Sequence, residues 1–186
     1  MHRTSLRLGA ALIAAAALAF PASAVAATAT PTGTVSGGSL SLTTAAAPTF
    51  SVTLDGTNKT PTYALPLTIE DSTGTGTGWN TTITSTTFTT GGATPKTLST
   101  TASSMTGVTN ACVESTTCTN PTNAITYPLS VPAATAAPAA VKFFNAAAET
   151  GLGKFTNTPT VAVSVPANTY AGTYTSTITL ASVSGP

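Results

Sequence analysis

The sequence predicts an all-β protein, an antiparallel β-sandwich preceded by a cleaved signal peptide, and three observations carry that expectation. Short segments alternate apolar and polar residues with period two. Threonine supplies 44 of the 186 residues, 43 of them after residue 27. No stretch longer than about eight residues carries a helical apolar stripe. Threonine is β-branched, stiff at χ1 and water-tolerant through its hydroxyl, so it suits the solvent face of strands. Valine, isoleucine, leucine, methionine and the aromatics total 34 beyond residue 27, enough for one interior layer between two sheets but not for two cores.

The chain opens on His2, Arg3 and Arg7, continues through the apolar run Leu8 to Phe20, and reaches Pro21-Ala22-Ser23-Ala24-Val25-Ala26-Ala27. A basic start, a short apolar stretch and small residues in A-x-A spacing make residues 1–27 a secretory signal peptide, too short for a comfortable membrane span. Cleavage after Ala24, Ala26 or Ala27 satisfies the spacing, and Ala27 is taken as the boundary. Residues 28–39, rich in Thr, Ala, Pro and Gly, read as a short linker or frayed terminus. Residues 40–186 read as a single domain. No sortase motif and no apolar anchor after Leu180 is expected to hold the chain, so no transmembrane segment is expected in the mature protein, and surface retention must be non-covalent or through partners.

Within the domain, Thr49 to Leu54 places Phe50, Val52 and Leu54 on one face and stops at Asp55-Gly56, a half-buried strand meeting a turn. Tyr63 to Asp71 repeats the pattern, with Pro66 marking an edge or bulge. Gly74, Gly76 and Gly78 form a flexible connection into a strand from Trp79 to Phe88, whose parity change predicts a bulge near Thr86. Gly91 to Pro121 is expected to hold one or two short strands among long loops. Ala124 to Val131 alternates Ile125, Tyr127, Leu129 and Val131. Ala133 to Ala140 is broken by proline, Val141 to Asn145 is a short strand, and Val161, Val163 and Val165 alternate before Pro166. Tyr174 to Val183 sets Tyr174, Ser176, Ile178 and Leu180 against Thr175, Thr177 and Thr179. Seven to ten such strands with turns between them give a sandwich of immunoglobulin-like architecture.

Beyond residue 27 the chain holds four lysines, five acids, no histidine and no arginine. Imidazole-dependent catalysis and most zinc or copper sites therefore have no material, and four dispersed lysines make no phosphate track, so neither nucleic acid nor a metal or other cofactor is an expected partner. The glycines at 74, 76 and 78 precede a strand and not a helix, which removes the phosphate-loop reading. Glu70 and Asp71 are neighbours on a strand and point to opposite faces, unlike the paired acids of glycoside cleavage. No Ser-x-x-Lys and no Gly-x-Ser-x-Gly is present. No catalytic residue is assigned. Cys112 and Cys118 in an exported chain are expected to form a disulfide; two free thiols and half of a metal site are the alternatives. Trp79 and the tyrosines Tyr63, Tyr127, Tyr170 and Tyr174 offer faces for sugar stacking, with core packing as the competing role for Trp79.

Two stretches, DSTGTGTGWNTTITSTTF from Asp71 to Phe88 and AGTYTSTITLASVSGP at the C-terminal end, resemble the WxL-domain family of bacterial surface proteins. In that family a Gly-rich turn leads into a first Trp-x-Leu strand, and a Gly-x-Tyr strand carries a second. Trp79 matches the first tryptophan, Tyr174 the tyrosine and Leu180 the second leucine; Thr81 stands in place of the first leucine and Ile178 in place of the second tryptophan. The resemblance covers roughly Leu40 to Pro186. It implies a non-catalytic protein, secreted or associated with the surface or wall of a Gram-positive bacterium, that binds peptidoglycan or another wall glycan non-covalently. The competing expectations are a structural or adhesive subunit that joins other surface proteins by strand pairing, and a secreted enzyme. The low, dispersed charge further predicts that any wall contact is made by hydroxyls and aromatic faces and not by salt bridges.

Overall fold

Alternating residues can bury one face of a strand only where a second sheet covers it, and the arrangement of turns decides which segments meet. The computed structural model describes residues 28–186 apart from 45, 46 and 115. The expected signal peptide and its three candidate cleavage positions lie outside the described residues. Residues 28–34 carry no secondary structure. From Val35 to Pro186 the chain forms one compact unit with ten strands: β1 (Leu40–Thr44), β2 (Thr62–Ala64), β3 (Leu67–Asp71), β4 (Trp79–Thr86), β5 (Ser103–Cys112), β6 (Leu129–Ser130), β7 (Ala133–Ala134), β8 (Val141–Ala146), β9 (Gly153–Val163) and β10 (Ile178–Ser184). No helix occurs among the described residues.

The first sheet runs β1-β3-β9-β5-β6 with β2 also paired to β9, and the second runs β10-β4-β7 with β8 also paired to β4. Every pair is antiparallel except the two-residue contact of β7 with β4. Between the sheets, Leu67, Ile69, Met105, Phe155, Val161 and Val163 meet Trp79, Ile83 and Phe144 in one buried cluster. Each such side chain contributes about 1.5–3 kcal/mol by leaving water. This is the β-sandwich the alternation predicts.

Several expected segments differ in detail. Thr49 to Leu54 is not a strand: residues 47–54 carry no secondary structure, although Phe50 and Leu54 do pack against the core. Tyr63 to Asp71 is divided into β2 and β3 at Leu65-Pro66, where the missing proline amide breaks the ladder. Of Ala124 to Val131 only Leu129–Ser130 pairs; the alternation is present in burial, but Asn123 bends the backbone by accepting from the Ile125 amide at 3.2 Å. The poorly patterned middle yields β5, ten residues long, because β9 supplies a ladder for almost all of it. Its register shift falls between Met105 and Gly107, opposite Val161 and Thr160 of β9. The β4 irregularity lies at Thr81/Thr82 against β8 and not near Thr86.

Candidate functional site: the open face of the first sheet

On β3 and β9 the inward residues are Leu67, Ile69, Phe155 and Asn157, which forces Thr68, Glu70, Thr156 and Thr158 outward. Strand register then aligns hydroxyls across the sheet. Thr43 lies opposite Thr68, and Thr68 opposite Thr156. One step along, Thr158 lies opposite Thr109. Neighbouring strands are about 4.8 Å apart and same-face residues about 7 Å apart along a strand, so the hydroxyls form a two-dimensional grid. The hydroxyls of Thr43, Thr68, Thr156, Thr158 and Thr160 donate to nothing within the protein among the described residues, while Thr106 donates to the Thr160 carbonyl at 3.2 Å. The charges on this face neutralise each other: Lys154 Nζ is 3.3 Å from Glu70.

The corresponding face of the second sheet is covered over β4 and β8, while on β10 Thr179, Ala181 and Val183 stay exposed. On β4 Thr84 donates to the Pro138 carbonyl at 2.8 Å, while its inward-facing neighbour Ser85 donates to the Pro132 carbonyl at 3.2 Å. Asn145 accepts from the Ala124 amide at 2.9 Å, and Asn80 donates to the Gly185 carbonyl at 2.7 Å. Residues 121–140 and the C-terminal end thus use the polar groups of β4 and β8 that a ligand would need.

The remaining candidates sort by burial. Trp79 is fully buried, donates from Nε1 to the Gly151 carbonyl at 2.8 Å, and packs on Phe144 and Phe155 with ring centroids 5.9 and 6.3 Å away. A Cβ on Gly151, at φ +75°, would press on that indole. Tyr63 is buried, and desolvation pushes its phenol up to about 12. Burial also raises Tyr127, opposed by the hydrogen bond from Asn123. Tyr174 is half-buried and donates to the Tyr170 carbonyl at 3.0 Å. Among these described aromatics only Tyr170 is mostly exposed, at 65%, and Lys96 Nζ lies 4.4 Å over its ring; it sits in the segment after β9, outside the threonine rows.

Gly74, Gly76 and Gly78 all take positive φ, and the segment is not a loose connection. Those φ values turn Thr73, Thr75 and Thr77 to one side, where their hydroxyls link at 3.1 and 3.0 Å and continue to Ser184 at 3.1 Å. Cys112, at the end of β5, is bridged to Cys118 with Cα atoms 6.0 Å apart. Glu70 faces solvent and Asp71 is buried, the opposite orientations their adjacency predicts. Among the described residues no three His, Cys, Asp or Glu side chains gather into a metal-binding group.

A family model for the WxL domain, a surface cell-wall-binding domain, matches residues 14–183. The chain belongs to the WxL family. No curated protein and no solved structure matches it. This WxL protein is therefore a surface protein of the wall-binding class. Its two motif segments lie on adjacent strands, β4 and β10, but at opposite ends of the pair. Trp79 faces Ser184 and Thr81 faces Ser182, whereas Ile178 faces Ser85 and Leu180 faces Ile83. From Ser184 to Ile178 is about 20 Å of strand. Trp79 and Thr81 are buried, Thr81 donating to the Phe144 carbonyl at 3.3 Å, while Tyr174, Ile178 and Leu180 line an open groove. The motif positions of this WxL chain thus do not converge on one surface. The threonine grid was not singled out from sequence; the available signal was the period-two run Thr156, Thr158, Thr160, which strand order alone distinguishes from many similar runs.

Proposed function

We propose that this protein binds peptidoglycan or a closely related glycan of a Gram-positive wall, non-covalently and without catalysis, through the open face of the first sheet. The observation that carries the reading is the grid of hydroxyls at Thr43, Thr68, Thr156 and Thr158, unengaged among the described residues, on a face where Lys154 and Glu70 pair with each other. A hydroxyl both donates and accepts, as sugar hydroxyls and acetamido groups require. The non-catalytic part of the reading is supported by the lack of imidazole beyond His2 and by the opposed directions of Glu70 and Asp71.

Hydrogen bonding without net charge feels little ionic screening. Co-sedimentation with isolated peptidoglycan is therefore expected to change by less than about twofold between low salt and about 0.5 M salt. A collapse of binding over that range would show electrostatic adhesion and overturn the uncharged mechanism.

A further inference from the structure

Residues 47–54 have the period-two pattern of a strand, yet among the described residues their amides and carbonyls make no backbone hydrogen bond. The preceding strand β1 is fully paired to β3, and chain pairing resumes at Lys59 with Val165. The segment forms one wall of a groove of about 1180 Å³ whose other wall is Thr169 to Leu180. That second wall already has partners of its own, Thr175 with Thr89 and Thr177 with Thr86. The groove floor holds Tyr63, Leu65, Phe88 and Leu98, and Phe50 reaches into it, stacked on Tyr63 at 6.1 Å and edge-on to Phe88 at 5.7 Å. No charged residue lines it. Val52, between Phe50 and Leu54, is 37% exposed. An eight-residue stretch of unpaired backbone beside an apolar groove is a template for one more strand.

We propose that the added strand is the same segment of a second copy, paired antiparallel about Val52 in a two-fold dimer. Centred there, Val52 meets Val52, Phe50 meets Leu54, and Ser51 meets Thr53, and no charge is placed opposite another within the pair. Because directly opposed residues of an antiparallel pair share a face, the second copy's Phe50, Val52 and Leu54 turn toward the groove as the first copy's do. A two-fold interface requires a self-complementary patch, and this segment is one. The groove's lack of charge matches the equally uncharged residues 47–54. The lysine-bearing and acid-bearing segments elsewhere on the surface do not match it. The inference is independent of the glycan reading, since it uses the groove and not the threonine face.

The test is a charge exchange at the two-fold axis. Protein expressed from the full sequence is analysed by sedimentation velocity over a range of concentrations. Wild type is expected to pass from monomer to dimer. Val52→Asp and Val52→Lys each oppose like charges at the axis and are expected to weaken association by about tenfold or more. An equimolar mixture of the two variants is expected to restore dimers. Val52 is surface-accessible, so both variants should melt with wild type; circular dichroism checks this. A wild type that stays monomeric overturns the proposal. So do single variants that dimerise as well as wild type, and so does a mixture of folded variants that remains monomeric.

Discussion

Thr68, Thr156 and Thr158 in the first sheet face outward with their hydroxyls unengaged among the described residues, whereas on the outer face of the second sheet Thr84 donates to Pro138. The residue type is the same and the strands are equally regular. What differs is the chain laid over them: residues 121–140 and the C-terminal end are hydrogen-bonded to β4 and β8, and among the described residues nothing comparable engages the hydroxyls of β3 and β9. Thr84 thus serves the fold, while Thr68, Thr156 and Thr158 remain available to a ligand. Threonine content alone therefore says little about binding until coverage is known.

The largest effect expected from breaking this contrast lies on the covered side. Trp79→Ala should cost about 3–5 kcal/mol, because it empties a fully buried site and strands the Gly151 carbonyl. Denaturant unfolding measures it, and a cost below about 1 kcal/mol would place Trp79 outside the core.

Next comes alkaline titration of Tyr63, on the floor of the groove. Its folded pKa is about 12 against about 10 unfolded, so between those values the unfolded chain releases the proton first. Stability present below pH 10 should fall as the pH rises through this window, by on the order of 2 kcal/mol. Tyr63→Phe should flatten the decline in denaturant-derived stability from pH 10 to pH 12.

A smaller change separates the two threonine classes. Thr84→Val should cost about 1 kcal/mol, since it removes a hydrogen bond and leaves the Pro138 carbonyl without its donor. The matching change on the open face, Thr68→Val, should alter stability by no more than about 0.5 kcal/mol. Equal losses at the two positions in thermal melts would erase the distinction between the sheets.

Much of the fold was legible because burial leaves a period-two trace. Val161, Val163 and the face of Tyr174, Ser176, Ile178 and Leu180 fall as the alternation requires. The trace reports burial and not pairing, which is why Thr49 to Leu54 and Ala124 to Val131 read as strands: their alternate side chains do approach the core, while their backbones find no ladder, or hardly any. The length of β5, expected only as one or two short strands, was missed for the converse reason: it is paired along almost all its length with few large side chains to signal it. The threonine grid depends on β1, β3, β9 and β5 lying side by side, a long-range order that no local pattern encodes. The motif residues were individually visible, but their separation along the β4–β10 pair is a property of register.

The central claim, that the open face of the first sheet holds the wall, is tested most directly by the triple variant Thr68→Val, Thr156→Val, Thr158→Val in co-sedimentation with isolated peptidoglycan. Valine keeps the β-branched shape and removes only the hydroxyl, so the sandwich should melt where wild type does. The account predicts loss of most of the bound fraction, about tenfold in affinity, if the three hydroxyls each contribute about 0.5 kcal/mol or more. Undiminished sedimentation of the folded triple variant would contradict it and move the wall contact to another surface.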